Sequence, residues 1–142
     1  GVAMGKKLIT VVHTSLVSHK HINELFAEII PEAKIHNIID DSLLAEVSAN
    51  GAVTPGIVSR MCKYFEAAAS IGSDLIFNQC SSVGEAAEIA AKTVNVPVLR
   101  VDEAMAEKAV ELGARIGVVA TVGSTVAPSC NLVKKKAEQR FI

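Results

Sequence analysis

Tryptophan is absent from this chain of 142 residues, and aromatic side chains make up only 4% of it. The 50% hydrophobic fraction is carried mainly by alanine, valine and isoleucine, as suits helices packed on both faces of a parallel sheet. The length is enough for one compact domain with its own core. Neither sign of charge dominates: 14 basic and 15 acidic residues are interspersed, for a net charge of −1. That leaves no basic footprint for a nucleic acid. The one charge run, Lys134-Lys135-Lys136, reads as the solvated face of a terminal helix. No apolar stretch approaches the ~18–20 residues that span a bilayer, and no charged-then-apolar signal stands at the start, so no membrane partner is expected. Gly1-Val2-Ala3 precede Met4 and read as a remnant foreign to the chain. Cysteine is scarce and odd in number. Cys62, Cys80 and Cys130 are widely spaced with no Cys-x-x-Cys pair, which argues against a disulfide framework or a zinc site. Reduced thiols in the cytoplasm are expected instead.

What the chain does have is a strict alternation of strand and helix signals. A β-branched run from Lys7 to Val12 ends at His13-Thr14-Ser15. Ile22, Leu25, Phe26, Ile29 and Ile30 follow at helical spacing, and Pro31 closes that helix. Lys34 to Ile39 is a second strand ending at Asp40-Asp41, followed by a loop through Asn50-Gly51 and Thr54-Pro55-Gly56. Ile57, Met61, Cys62, Phe65 and Ala68 mark a long helix. Leu75 to Phe77 is a third strand, and it delivers Cys80 to the start of an alanine-rich helix. Val96 to Val101 makes a fourth strand, with Asp102 as N-cap of the next helix. Arg115 to Ala120 reads as a fifth strand running into Thr121-Val122-Gly123-Ser124-Thr125, and a helix over 128–139 ends the chain. This order predicts an α/β fold: a three-layer, doubly wound parallel sheet, a flavodoxin-like lobe of about five βα units.

Ligands of such sheets bind at the carboxyl ends of the strands. Small hydroxyls and one thiol gather on that rim. A cysteine between a buried strand and a helix N-terminus meets unpaired backbone N–H groups and the positive end of the helix dipole, which favour a thiolate. Ser81, Ser82, Thr121, Ser124 and Thr125 can cradle a carboxylate or phosphate there, although capping is the commoner duty of such residues. Several rim chemistries are excluded. The loop after strand one has no glycine for a flavin phosphate, and Cys80 stands where a receiver domain needs its acceptor aspartate. Ala86 stands where a cysteine phosphatase needs arginine. No Gly-x-Gly-x-x-Gly or Walker lysine occurs. His19 and His21 alternate without a nearby ligand to complete a metal site, so no metal is expected. Only His13 has a strong claim to the rim, whereas His36 reads equally well as a surface residue. Cys62 falls on an apolar helical stripe and reads as core. Cys130, in the first turn of the last helix, has no visible partner.

Asn78-Gln79-Cys80-Ser81-Ser82-Val83-Gly84-Glu85 resembles the catalytic-cysteine motif of the aspartate/glutamate/hydantoin racemase superfamily. Ile116-Gly117-Val118-Val119-Ala120-Thr121-Val122-Gly123-Ser124-Thr125 is similar to the strand and threonine loop that opens that family's second lobe, and His13-Thr14-Ser15-Leu16 to its substrate-side loop. The resemblance implies a cofactor-independent enzyme acting on a small carboxylic acid. In it a cysteine thiolate removes the proton α to the carboxylate, and a second acid on the opposite face returns one. Related isomerisations or decarboxylations belong to the same superfamily. Carried over by position, Cys80 is the catalytic acid or base, and Thr14, Ser15, Asn78, Ser81, Ser82, Thr121, Ser124 and Thr125 bind substrate.

The family's site lies between two similar lobes, and the second usually supplies another cysteine. On that pattern residues 1–113 form the N-terminal lobe. Residues 114–142 form the first strand and helix of a second, incomplete lobe that can pack as part of a single domain. Cys130 precedes the position of the family's second cysteine. The expectation is therefore a truncated chain, whose activity its missing lobe would compromise. An open lobe edge would favour a homo-oligomer. The competing readings are a catalytically inert domain that binds a small anion or a partner, and a flavodoxin-like module with a redox-active Cys80; the latter lacks a resolving cysteine nearby.

Overall fold

A computed structural model describes residues 6–140, so Gly1-Val2-Ala3, read above as a remnant, lie outside the described residues. Strands β1 (Leu8–His13), β2 (Lys34–Ile39), β3 (Leu75–Asn78) and β4 (Val98–Arg100) form one parallel sheet in the order β2-β1-β3-β4. Helices α1 (His19–Ile29), α2 (Ser42–Asn50), α3 (Pro55–Ser70), α4 (Gly84–Ala91), α5 (Glu103–Leu112) and α6 (Val126–Arg140) complete the chain. The chain steps from β1 outward to β2, then returns past β1 to β3. That reversal places a crevice between the ends of β1 and β3, as in flavodoxin-like, doubly wound sheets.

Alternation along the strands divides the sheet into two faces. Val12, Ile38, Ile76 and Val98 point to one face and pack with α2, α3 and α4. On α3, Ile57, Met61, Phe65 and Ala68 recur at helical spacing and are fully buried. Ala86, Ala87 and Ala90 of α4 are small enough for the two helices to pack closely, and all are buried. Thr54 caps α3 by accepting from the Ile57 N–H at 3.2 Å, and Pro55 supplies its fixed φ at the first turn. On the opposite face lies α1, whose Phe26 meets Phe77 edge-to-face with ring centroids 5.5 Å apart. No residue of α1 is fully buried.

Four local readings are corrected. Ser42–Asn50 is a helix where a loop was expected: Leu43 and Val47, four apart, bury into the core, and Asp40 accepts from the Ser42 N–H at 2.9 Å. Gly51 ends it at φ 71, in the left-handed region that favours glycine. Arg115–Ala120 is not a strand. A β-branched run forms one only where a strand edge receives it; here Val119 is 98% exposed, and β4 pairs with β3 alone among the described strands. Asp102 stands at the N-cap position of α5 but makes no capping bond, because its carboxylate is held by Arg100 through two bonds of 3.1 and 3.0 Å. Finally, α6 begins at Val126, which puts Cys130 in its second turn rather than its first.

Candidate active site

β3 carries Asn78, Gln79 and Cys80 out of the sheet beside the end of β1, where the Gln79 N–H donates to the Val12 carbonyl at 3.0 Å. Cys80 is extended (φ −136, ψ 119) and heads a 3₁₀ turn, Ser81–Val83, that separates it from α4. The thiol is half-buried, free, and packed against the edge of the main core. It opens into a cavity of about 370 Å³. Thr14 and Ser15 line that cavity from the β1 side, Ser81 and Ser82 from the β3 side, and Thr121 and Thr125 from the segment before α6.

The cavity therefore gathers Cys80 with six of the eight residues expected to bind substrate. The other two stand behind the wall. Asn78 is fully buried and donates to the Cys80 carbonyl at 3.1 Å, which fixes the backbone beneath the thiol. Ser124 meets the Ser82 hydroxyl at 3.0 Å, and Thr125 meets the same oxygen at 3.0 Å. These two bonds tie the cysteine loop to the second 3₁₀ turn, Gly123–Thr125. Cys62 and Cys130 take no part in lining the cavity.

Gln79 and Leu44 also line the cavity, and neither is distinguishable by sequence pattern. Leu44 arrives on the unexpected helix α2, whose chain is held by a bond from the Leu44 N–H to the Thr14 carbonyl at 3.2 Å. His13 takes the rim position expected of it and is 1% exposed. Burial lowers its pKa below the ordinary histidine value, and the nearby His19 lowers it further against a bond to Asn37 that raises it. His19 donates through Nδ1 to the Leu16 carbonyl at 3.0 Å, and His21 and His36 are exposed.

A second polar cluster lies on the α2–α3 side. Burial pushes the Asp40 carboxyl up, but hydrogen bonds from Ser42 and Tyr64 and the Arg60 charge outweigh it and hold the group below the usual carboxylate range. Arg60 also pairs with Glu46. This cluster joins α2 to α3 and does not line the cavity. Among the described residues, no group of three or more His, Cys, Asp or Glu side chains converges in a way that could hold a metal ion. Nor is any helix among them long and apolar enough to cross a membrane.

The arrangement suits a small anion. Hydroxyl-bearing residues surround a half-buried thiol at the strand ends. Comparison with curated protein sequences gives no match. The family model described as Asp/Glu/Hydantoin racemase matches residues 9–141, nearly the whole chain, and the protein belongs to that family.

Proposed function

We propose that the chain carries out cofactor-independent proton transfer at the carbon α to the carboxylate of a small carboxylic acid, with Cys80 as the base when it is a thiolate or the acid when it is a thiol. The observation that carries this reading is the seating of Cys80 in a cavity walled by the hydroxyls of Thr14, Ser15, Ser81, Ser82, Thr121 and Thr125. A carboxylate held by those donors would lie beside the sulfur, within reach of its α-proton. Removing that proton leaves charge spread onto the carboxylate oxygens. Fixed hydroxyl and amide dipoles stabilise it there without having to reorganise. The three free thiols support a reducing compartment such as the cytoplasm.

Deuterium exchange tests the reading. In D₂O, wild-type protein should remove the α-proton NMR signal of at least one acid among aspartate, glutamate, hydantoins and arylmalonates. Cys80→Ala should slow that exchange by ~10²-fold or more, the usual scale of a lost general base. Exchange that is absent for every acid would overturn the reading, as would exchange unchanged by Cys80→Ala. Binding of these acids without any exchange would instead favour a catalytically inert anion-binding domain.

A further inference from the structure

The two edges of the sheet are unequally guarded. At one edge β4 is three residues long, and the Arg100 N–H on its open side is taken by Glu103 Oε2 at 3.4 Å. At the other edge β2 is six residues long, four of them exposed, with no proline, glycine or bulge to interrupt it. Its one formal charge, Lys34, stands at the first position. A long edge without such guards is a template for pairing with another chain.

The backbone of β2 fixes how a further strand can meet it. The Lys34 N–H donates to the Lys7 carbonyl at 2.8 Å, and the Asp40 N–H to the His13 carbonyl at 3.1 Å. Even-numbered residues therefore turn their backbone groups toward β1. By alternation Ile35, Asn37 and Ile39 turn theirs outward, where no group among the described residues bonds to them. In an antiparallel pair of β2 strands centred on Asn37, all the outward residues coincide. Asn37 faces its own copy, and Ile35 faces Ile39 of the partner subunit. Each such pair exchanges N–H···O bonds in both directions. A slip of one residue would set outward groups against inward ones, and a slip of two would leave one end unmatched. The side chains suit the same register. β-Branched isoleucines oppose each other, and Lys34 opposes Asp40 of the partner subunit, an opposite charge at both ends of the seam.

We infer that β2 is the seam of a homodimer, in which two copies pair antiparallel about a two-fold axis at Asn37 and the sheet runs on from one copy into the other. The Asn37 side chain is bonded to His13 Nε2 at 2.8 Å and to Asn23 of α1 at 2.9 and 3.0 Å. Ile35, Asn37 and Ile39 thus project on the α1 face, so the α1 helices of both copies, which have no fully buried residue, flank the seam. His13 lines the Cys80 cavity, which places the dimer contact one strand behind each candidate site.

NMR of the wild-type chain tests the seam and its register together. In a sample mixing labelled and unlabelled chains, an intermolecular cross-peak should join the α-protons of His36 and Ile38. These residues form the non-hydrogen-bonded pair of the proposed register, where the strands approach most closely. Amide hydrogen exchange should find Ile35, Asn37 and Ile39 protected as well as His36 and Ile38, although a lone edge strand would protect only the latter two. Ile39→Pro removes an N–H that the single chain does not use, and proline is tolerated at such edge positions. It should abolish the cross-peak and the protection of Ile35 and Asn37, while His36 and Ile38 stay protected. Leu99→Lys with Val101→Lys, at the sheet's other edge, should leave both readings as in wild type. A wild-type sample without the His36–Ile38 cross-peak, or with cross-peaks of another register, would overturn the inference whatever the variants do. So would free exchange at Ile35, Asn37 and Ile39, or loss of the cross-peak in the Leu99 and Val101 variant.

Discussion

His13 is a buried titratable side chain whose setting makes stability vary with pH. It is buried in the neutral form, with its pKa below the ordinary histidine value, chiefly through desolvation. As pH falls through the unfolded value near 6.5, the unfolded chain takes up a proton that the folded one resists, so stability falls with it. The loss levels off once pH is below the folded value. Urea unfolding at pH 7.5 and 5.0 should therefore show a lower midpoint at the acid pH, and His13→Gln should narrow that gap. An equal gap in the variant would remove His13 as its source. Asp40 acts lower on the scale. Its depressed pKa supplies stability that is present above about 3.8 and lost as pH falls through the folded value, so the two groups separate by pH window. At this scale the sequence was informative about Cys80, whose neighbours Ser81 and Ser82 are adjacent in the chain. It was silent on Gln79 because an amide between a strand and a cysteine carries no pattern. Its place at the cavity follows only from the pairing of β3 with β1.

At the scale of elements, the cysteine loop depends on how α4 meets β4. Arg100 is 7% exposed and engages Asp102 through two bonds and Glu88 at 2.7 Å, with its guanidinium lying over Gly84 at the start of α4. A Cβ at Gly84 would overlap that guanidinium, and the carboxylates prevent it from moving aside freely. Gly84→Ala should cost about 1–3 kcal/mol by overpacking, and it should change the rate at which iodoacetamide alkylates Cys80. A variant as stable as wild type with an unaltered alkylation rate would show that the loop does not depend on this contact. Alanine at Gly113 meets no such obstacle, its nearest atom being 3.6 Å away, so it serves as the control. The helices α1, α3, α4 and α5 were legible from apolar spacing, and α6 was expected as the closing helix over 128–139. Helix α2 was not, because nine residues with Leu43 and Val47 inward carry a stripe too short to separate from a loop. Arg115–Ala120 shows the converse. Its residues suit a strand, yet strand formation needs a partner edge at the right place, and local propensity does not encode that.

At the scale of the whole molecule, the two faces of the sheet are unequal. The α3–α4 face is a closed core, whereas the α1 face leaves Leu99 40% and Val101 37% exposed beside a wholly apolar groove formed by Ile22, Phe26, Ile29 and Phe77. Contiguous apolar surface of this kind drives association. Sedimentation velocity should show mass increasing with protein concentration, and Leu99→Lys with Val101→Lys should suppress the increase. A single monomeric species across the concentration range would show that this face stays free.

The alternation of apolar runs, the punctuation by Pro31, Asn50-Gly51 and Pro55, and the Asn-Gln-Cys-Ser-Ser segment were enough to determine the α/β class, the parallel sheet and the family. Each depends on neighbours within a few residues, where side-chain periodicity and local sterics act. Tertiary structure alone decided the rest: the strand order that opens a crevice between β1 and β3, the bonds that bring Ser124 and Thr125 to Ser82, and the hydrogen bonds that join Asn23, Asn37 and His13. Those contacts join residues far apart in sequence. They exist only after the sheet has set its register, because a hydrogen bond needs its partners within about 3 Å and correctly oriented.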